Sequence, residues 1–209
     1  FRQVDEACRE VGAELIGGHT EITHAVNEPF AVGTMLGEIT TFRLTATRNA
    51  RTGNAVIMVG ACGQHGSGLL ATRHGAELRQ RGVPADVVER AARFAEAPQL
   101  SVVAAARIAM NASHPHAMHD PTEGGLAVCL HEMAAAAGVG VEIDEEQVLV
   151  RPETREICLR TGLDAWGLES SGALVVAVDE VDAEQLLAAY GREGFEARRI
   201  GSVRAPEGG

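Results

Sequence analysis

The sequence predicts a layered α/β or α+β protein, and three observations carry that reading. Strand-like and helix-like stretches alternate along most of the chain. Hydrophobic residues make up 45% of the 209, enough for a sizeable core, while aromatics are only 3%. Three glycine- and hydroxyl-bearing loops sit where a strand hands over to the next element.

The elements follow in order. Val4, Ala7, Cys8 and Val11 fall at helical spacing, so a helix runs over Val4 to Val11 and Gly12 closes it. Glu14 to Ile16 and Phe30 to Glu38 have strand composition. The polar stretch from Arg43 to Asn54 marks a boundary between two units. Beyond it, Ala55 to Val59 is a buried strand and Gly60 to Gly68 a glycine-rich turn. Leu69 to Arg81 is a helix that Gly82 and Pro84 stop. Helices follow over Ala85 to Glu96 and Gln99 to Asn111, then a short strand at Ala117-Met118. Leu126 to Ala137 is a helix, Val139 to Ile143 a strand, and Pro152 to Thr161 a helix ended by Gly162. Gly172 to Val178 is a strand, Asp182 to Gly191 a helix, and Phe195 to Val203 the closing strand. The chain starts at Phe1 with a helix already under way, so a fragment or a processed chain is expected.

Composition excludes several functions. Net charge is −11, with no basic block, which argues against nucleic acid and anionic membranes as partners. All 18 basic residues are arginine. A Walker-type phosphate loop and a Schiff base both need lysine, so both are excluded. Cys8, Cys62, Cys129 and Cys158 form no C-x-x-C pair, so neither a zinc cage nor a disulfide framework is indicated. Buried free thiols in a reducing cytosol are the expectation. No signal-peptide pattern and no apolar run of about 18 residues is found in this sequence, so a cytoplasmic location is expected.

The richest segment is His119-Asp120-Pro121-Thr122-Glu123-Gly124-Gly125 before a helix. Glycine lets a backbone approach a ligand, and a helix start offers N–H groups to an anion. Asp120 is placed to hold a hard divalent cation through oxygen. An ordinary helix cap would use the same residue types. In Gly17-Gly18-His19-Thr20-Glu21, the glycines and Thr20 suit phosphate, and Glu21 adds a carboxylate for metal. His19 can bind a metal, donate to phosphate or move a proton. The competing reading is a tight turn. The third loop is Gly63-Gln64-His65-Gly66-Ser67-Gly68, where Ser67 alternatively caps the helix that follows. His114, His116 and His119 crowd together, but their spacing and Pro115 favour a polar turn over a metal site. Ser170-Ser171-Gly172 either contacts substrate or simply enters a strand.

Taken together, these loops resemble the superfamily of aminoimidazole ribonucleotide (AIR) synthase. Asp120-Pro121-Thr122-Glu123-Gly124-Gly125-Leu126-Ala127 resembles a segment of the HypE-like branch, Gln64-His65-Gly66 its Asp-His-Gly, and Gly17-Gly18-His19-Thr20 a superfamily loop. Ser171-Gly172-Ala173-Leu174 resembles the strand entry near the end of the C-terminal domain. The resemblance implies an α+β fold: an AIR synthase-like C-terminal domain with a mixed sheet flanked by helices, preceded by the end of an α/β N-terminal domain. Residues 1–45 would be that tail and 46–209 the C-terminal domain. It further implies ATP and Mg2+ as cofactors, with an amide or similar oxygen activated by phosphorylation, in HypE-like hydrogenase maturation or purine-type cyclo-ligation. Asp120 and Glu21 would bind metal. Gly17, Gly18, His19, Thr20, Thr122, Gly124 and Gly125 would line the nucleotide phosphates. His65, Ser67 and Ser171 would face the small-molecule substrate. A homodimer is expected at full length. The HypE-like branch ends in a tail with a reactive cysteine, whereas this sequence ends Pro206-Glu207-Gly208-Gly209, so chemistry on such a tail is not expected. The alternative is a non-catalytic module that binds a metabolite or scaffolds a partner.

Overall fold

The structure, a computed structural model, describes residues 1–39, 44–96 and 100–206. The chain divides into two compact units, Phe1–Phe42 and Arg43–Gly209.

Among its described residues the first unit holds one regular element, α1 (Arg2–Val11). Gly12 ends it at φ 78°, the left-handed stop that glycine adopts without steric cost. The strands expected over Glu14 to Ile16 and Phe30 to Glu38 do not form among the described residues. A strand needs a neighbour for its N–H and C=O groups, and neither segment is paired with one. Their apolar composition is real: Ile16, Phe30, Val32, Met35 and Leu36 are all at least 73% exposed.

The second unit is built on a five-stranded sheet. Its strands are β1 (Asn54–Val59), β2 (Ala117–His119), β3 (Gly140–Ile143), β4 (Leu174–Asp179) and β5 (Ala197–Arg204), in the order β2-β4-β1-β5-β3. The expected mixed sheet is in fact antiparallel at every described pairing, while the α+β class holds. Ile57 sits opposite Val176 on one side and Arg199 on the other.

β1 is central and wholly buried, and its period of two divides the core. Val56 and Met58 join Val175, Ala177, Ile200 and Val203 under α5 (Gly125–Ala137), which adds Leu126, Cys129, Leu130 and Met133. Ala55, Ile57 and Val59 join Leu174, Val176 and Val178 on the opposite face. There α4 (Val103–Ala112) and α7 (Ala183–Arg192) supply Ala105, Ala109, Leu186 and Tyr190. A third cluster ties α2 (Gln64–Gln80), α3 (Ala85–Ala92) and α6 (Pro152–Thr161) through Ala71, Leu78, Val88, Ala91 and Ile157. Small alanines let these helices pack closely, which is how a chain with few aromatics fills its interior.

The start of α2 and the end of α3 differ from expectation by four residues or more. α2 starts at Gln64 rather than Leu69, because Gly66 and Gly68 are helical and buried instead of forming a turn. α3 stops at Ala92 and passes into a 3-10 turn over Arg93–Ala95. The start expected for α4, at Gln99, lies outside the described residues.

Candidate functional site

The Asp120 loop connects the end of β2 to α5. Thr122 N–H donates to the Asp120 carbonyl at 3.0 Å, and Gly125 N–H to the Thr122 carbonyl at 2.9 Å, which coils the segment tightly. Gly124 and Gly125 both take positive φ, 78° and 62°. Glu123 is fully exposed, and its carboxyl is held below the usual range by its own backbone N–H and then by the Thr122 hydroxyl. The Asp120 side chain is 53% exposed, with one oxygen 3.8 Å from His119 Nδ1. His119 Nε2 lies 2.8 Å from Glu132 of α5.

The start of α2 comes to the same place through an intermediary, the segment 164–172. Gly63 N–H donates to Ser170 Oγ at 2.7 Å, and Gly66 N–H to the Glu169 carbonyl at 2.7 Å. From the other side, Ser170 N–H donates to the Pro121 carbonyl at 2.9 Å and Ala127 N–H to the Trp166 carbonyl at 3.1 Å. Segment 164–172 therefore clasps the two loops together. The close approach that glycine allows at Gly125 is made to this segment: a Cβ there would lie 2.4 Å from the Trp166 and Leu168 carbonyl oxygens.

Two thiols lie beneath the clasp. Cys62 donates to the Ala165 carbonyl at 3.3 Å, and burial pushes its pKa up to about 12. Cys129 is raised to about 12 by burial and then by the charges of Asp120 and Glu132. Both are protonated structural groups, in keeping with free, buried cysteines.

Thr122, Gly124, Gly125, Asp120, Ser171 and His65 thus belong to one end of the second unit. Ser67 is a correction. It is fully buried, its hydroxyl donating to the Gln64 carbonyl at 2.9 Å and lying 2.8 Å from Thr154 Oγ1, so it anchors α2 to α6 rather than facing substrate. Gly17, Gly18, His19, Thr20 and Glu21 lie in the first unit, exposed and outside regular structure. His116 bonds Asn54 Oδ1 at 3.1 Å, a structural tie. Sequence reasoning missed Glu169, whose carboxylate accepts from Ser171 Oγ at 2.6 Å and lies 3.2 Å from His65 Nδ1. Its one signal was its position beside Ser170-Ser171.

Among the described residues, no three His, Cys, Asp or Glu side chains gather to hold a metal ion. Asp120 offers a single exposed carboxylate beside a glycine pair. That donor set fits magnesium, which keeps waters and takes its remaining oxygens from substrate phosphates. It does not fit an all-protein cage. No helix among the described residues is long and apolar enough to cross a membrane.

An antiparallel sheet with helices on both faces and glycine-rich loops clasped at one end defines the class of the AIR synthase-like C-terminal domains. The family model for that domain, "AIR synthase related protein, C-terminal domain", matches residues 51–209, and the chain belongs to this family. Carbamoyl dehydratase HypE of Cupriavidus necator is 32% identical over 201 residues, covering 94% of this chain and 54% of that protein. The crystal structure of E. coli HypE, a hydrogenase maturation protein, superposes with a TM-score of 0.68 at 30% identity, covering 82% of this chain and 50% of that one. A structure of HypE in complex with ATP gives 0.63 at 29%, covering 81% and 48%. The chain spans about half the length of the curated relatives it matches.

Proposed function

We propose that this chain is the C-terminal part of an ATP- and magnesium-dependent enzyme that activates an amide or similar oxygen by phosphorylation, in HypE-like hydrogenase maturation. The observation that carries the reading is the clasped corner itself. It sets a half-exposed Asp120 carboxylate beside Gly124 and Gly125 in a chain related to an ATP-bound protein.

Asp120 would hold magnesium, and within the first unit Glu21 would offer a metal carboxylate of its own. Bound there, the ion would neutralise phosphate charge as the phosphoryl group moves. Thr122, Gly124 and Gly125 would meet the phosphates; Gly17, Gly18, His19 and Thr20 of the first unit would be phosphate-binding residues in their own right. His65 and Ser171 would stand on the substrate side. Residues 1–45 would be the end of the N-terminal domain, and the full-length protein a homodimer. Purine-type cyclo-ligation is the related chemistry that the same corner would serve.

One observation favours a second reading, a module that binds a metabolite or partner without ATP chemistry. Two of the N–H groups at the start of α5, those of Gly125 and Ala127, are already bonded to the Thr122 and Trp166 carbonyls. Calorimetric titration of the full-length protein with ATP and magnesium separates the two. Saturable binding that is lost in Asp120→Ala supports the enzyme. No binding, or binding indifferent to Asp120→Ala, supports the module.

A further inference from the structure

His65 lies in the first turn of α2 with its side chain 12% exposed. Its Nδ1 is buried and makes no well-formed hydrogen bond, yet Glu169 Oε1 stands 3.2 Å away. The same oxygen accepts from Ser171 Oγ at 2.6 Å, which fixes the carboxylate in place. The two backbones are joined as well, since the Glu169 carbonyl accepts from Gly66 N–H, one residue beyond His65. The imidazole and the carboxylate are therefore set side by side, with their neighbouring main chains bonded.

This placement constrains the tautomer. An unprotonated Nδ1 would set a buried lone pair against a carboxylate lone pair, which is repulsive. A proton on Nδ1 makes the same contact a charge-assisted N–H···O attraction after a small ring rotation. Nε2 is then the ring's one acceptor, and it bonds to no other described residue.

We propose that Glu169, steadied by Ser171, is a positioning residue that fixes His65 as the Nδ1–H tautomer, leaving Nε2 to take a proton from an amide-class substrate. This rests on the reading of the corner as the substrate side of an ATP-dependent enzyme. The amide oxygen forms a bond to the γ-phosphorus of ATP, and the bond from that phosphorus to the bridging oxygen breaks, releasing ADP. The amide nitrogen gives its proton to Nε2, and the electron pair left behind makes the C=N bond of a phosphorylated imidate. The imidazolium that results is offset by the Glu169 carboxylate.

The test is 15N NMR of histidine-labelled full-length protein. Wild type is expected to show His65 protonated at Nδ1 and bare at Nε2. Glu169→Ala should shift it towards Nε2–H, Ser171→Ala should do so in part, and Glu169→Gln, which keeps an acceptor oxygen, should restore Nδ1–H. An Nε2–H imidazole in wild type, or a tautomer unmoved by Glu169→Ala, would overturn the proposal. Ser171→Ala and Glu169→Gln keep the test alive if Glu169→Ala does not fold. Titration with MgATP on the same samples separates the two failures. Absent binding sinks the ATP-dependent reading and the base role with it. Bound MgATP beside an Nε2–H imidazole sinks this inference alone.

Discussion

The backbone N–H of Gly63 and the hydroxyl of Ser170, 107 residues apart in sequence, share a buried 2.7 Å hydrogen bond. Ser170 Oγ in turn donates to the Leu168 carbonyl at 3.1 Å, and its own N–H donates to Pro121. One serine thus joins the start of α2, the clasping segment and the Asp120 loop. Replacing it with alanine strands a buried N–H. Ser170→Ala is expected to lower unfolding free energy by about 1–3 kcal/mol in urea titration. An unchanged midpoint would mean that the clasp contributes nothing to stability.

Gly125→Ala should cost more. The substitution forces a Cβ to 2.4 Å from two carbonyl oxygens and places a side chain at φ 62°. Strain at positive φ alone costs about 1–3 kcal/mol, and the clash must push segment 166–168 away as well. We expect a loss above about 2 kcal/mol in the same titration, with Gly12→Ala, which meets no atom within 4 Å, costing less.

The buried thiols set an alkaline limit. Cys62 and Cys129 are each raised from 9.0 to about 12 in the folded protein. Below pH 9 both states keep the protons and these groups are silent. Above it the unfolded chain ionises while the fold does not, so stability falls with rising pH until about 12. The slope is at most about 1.4 kcal/mol per pH unit for each thiol. Urea midpoints measured across this window should drop, and Cys129→Ala should flatten the drop. A thiol reagent applied to native protein should leave both cysteines unmodified.

Asp120 is tied only loosely into the fold. Its side chain is 53% exposed, and its nearest ionic neighbour, His119, is 3.8 Å away. An exposed pair of this kind contributes little, about 0–1 kcal/mol. Asp120→Asn should therefore melt within about 1 kcal/mol of wild type while MgATP affinity falls at least tenfold. Equal losses in both would mean that the carboxylate is structural.

The sequence was most legible where period and punctuation agree. α6 begins at Pro152 and ends before Gly162, and β1 is a short apolar run, so both are found as expected. α5 opens one residue before its expected start, at Gly125. It was least legible where a distant neighbour decides the local structure. Gly63 to Gly68 reads as a loop, but Gly66 and Gly68 are spaces for the backbones of Glu169 and Ala95, and the helix runs through them. Phe30 to Glu38 reads as a strand because composition carries no information about whether a pairing partner is at hand. Of the site, the glycines, Asp120 and the order of the loops were visible. The His65–Glu169 contact spans the fold, and no local spacing announces it.

The proposed function depends on a metal–nucleotide complex docking at the corner formed by Asp120, Gly124, Gly125 and Ser171. Manganese in place of magnesium, added with ATP to 15N-labelled full-length protein, tests it most directly by paramagnetic broadening of nearby amides. Thr122, Gly124, Gly125 and Ser171 amides are expected to broaden first, and Asp120→Ala to abolish the effect. Sharp signals at these four amides, with broadening centred on another part of the protein, would contradict it.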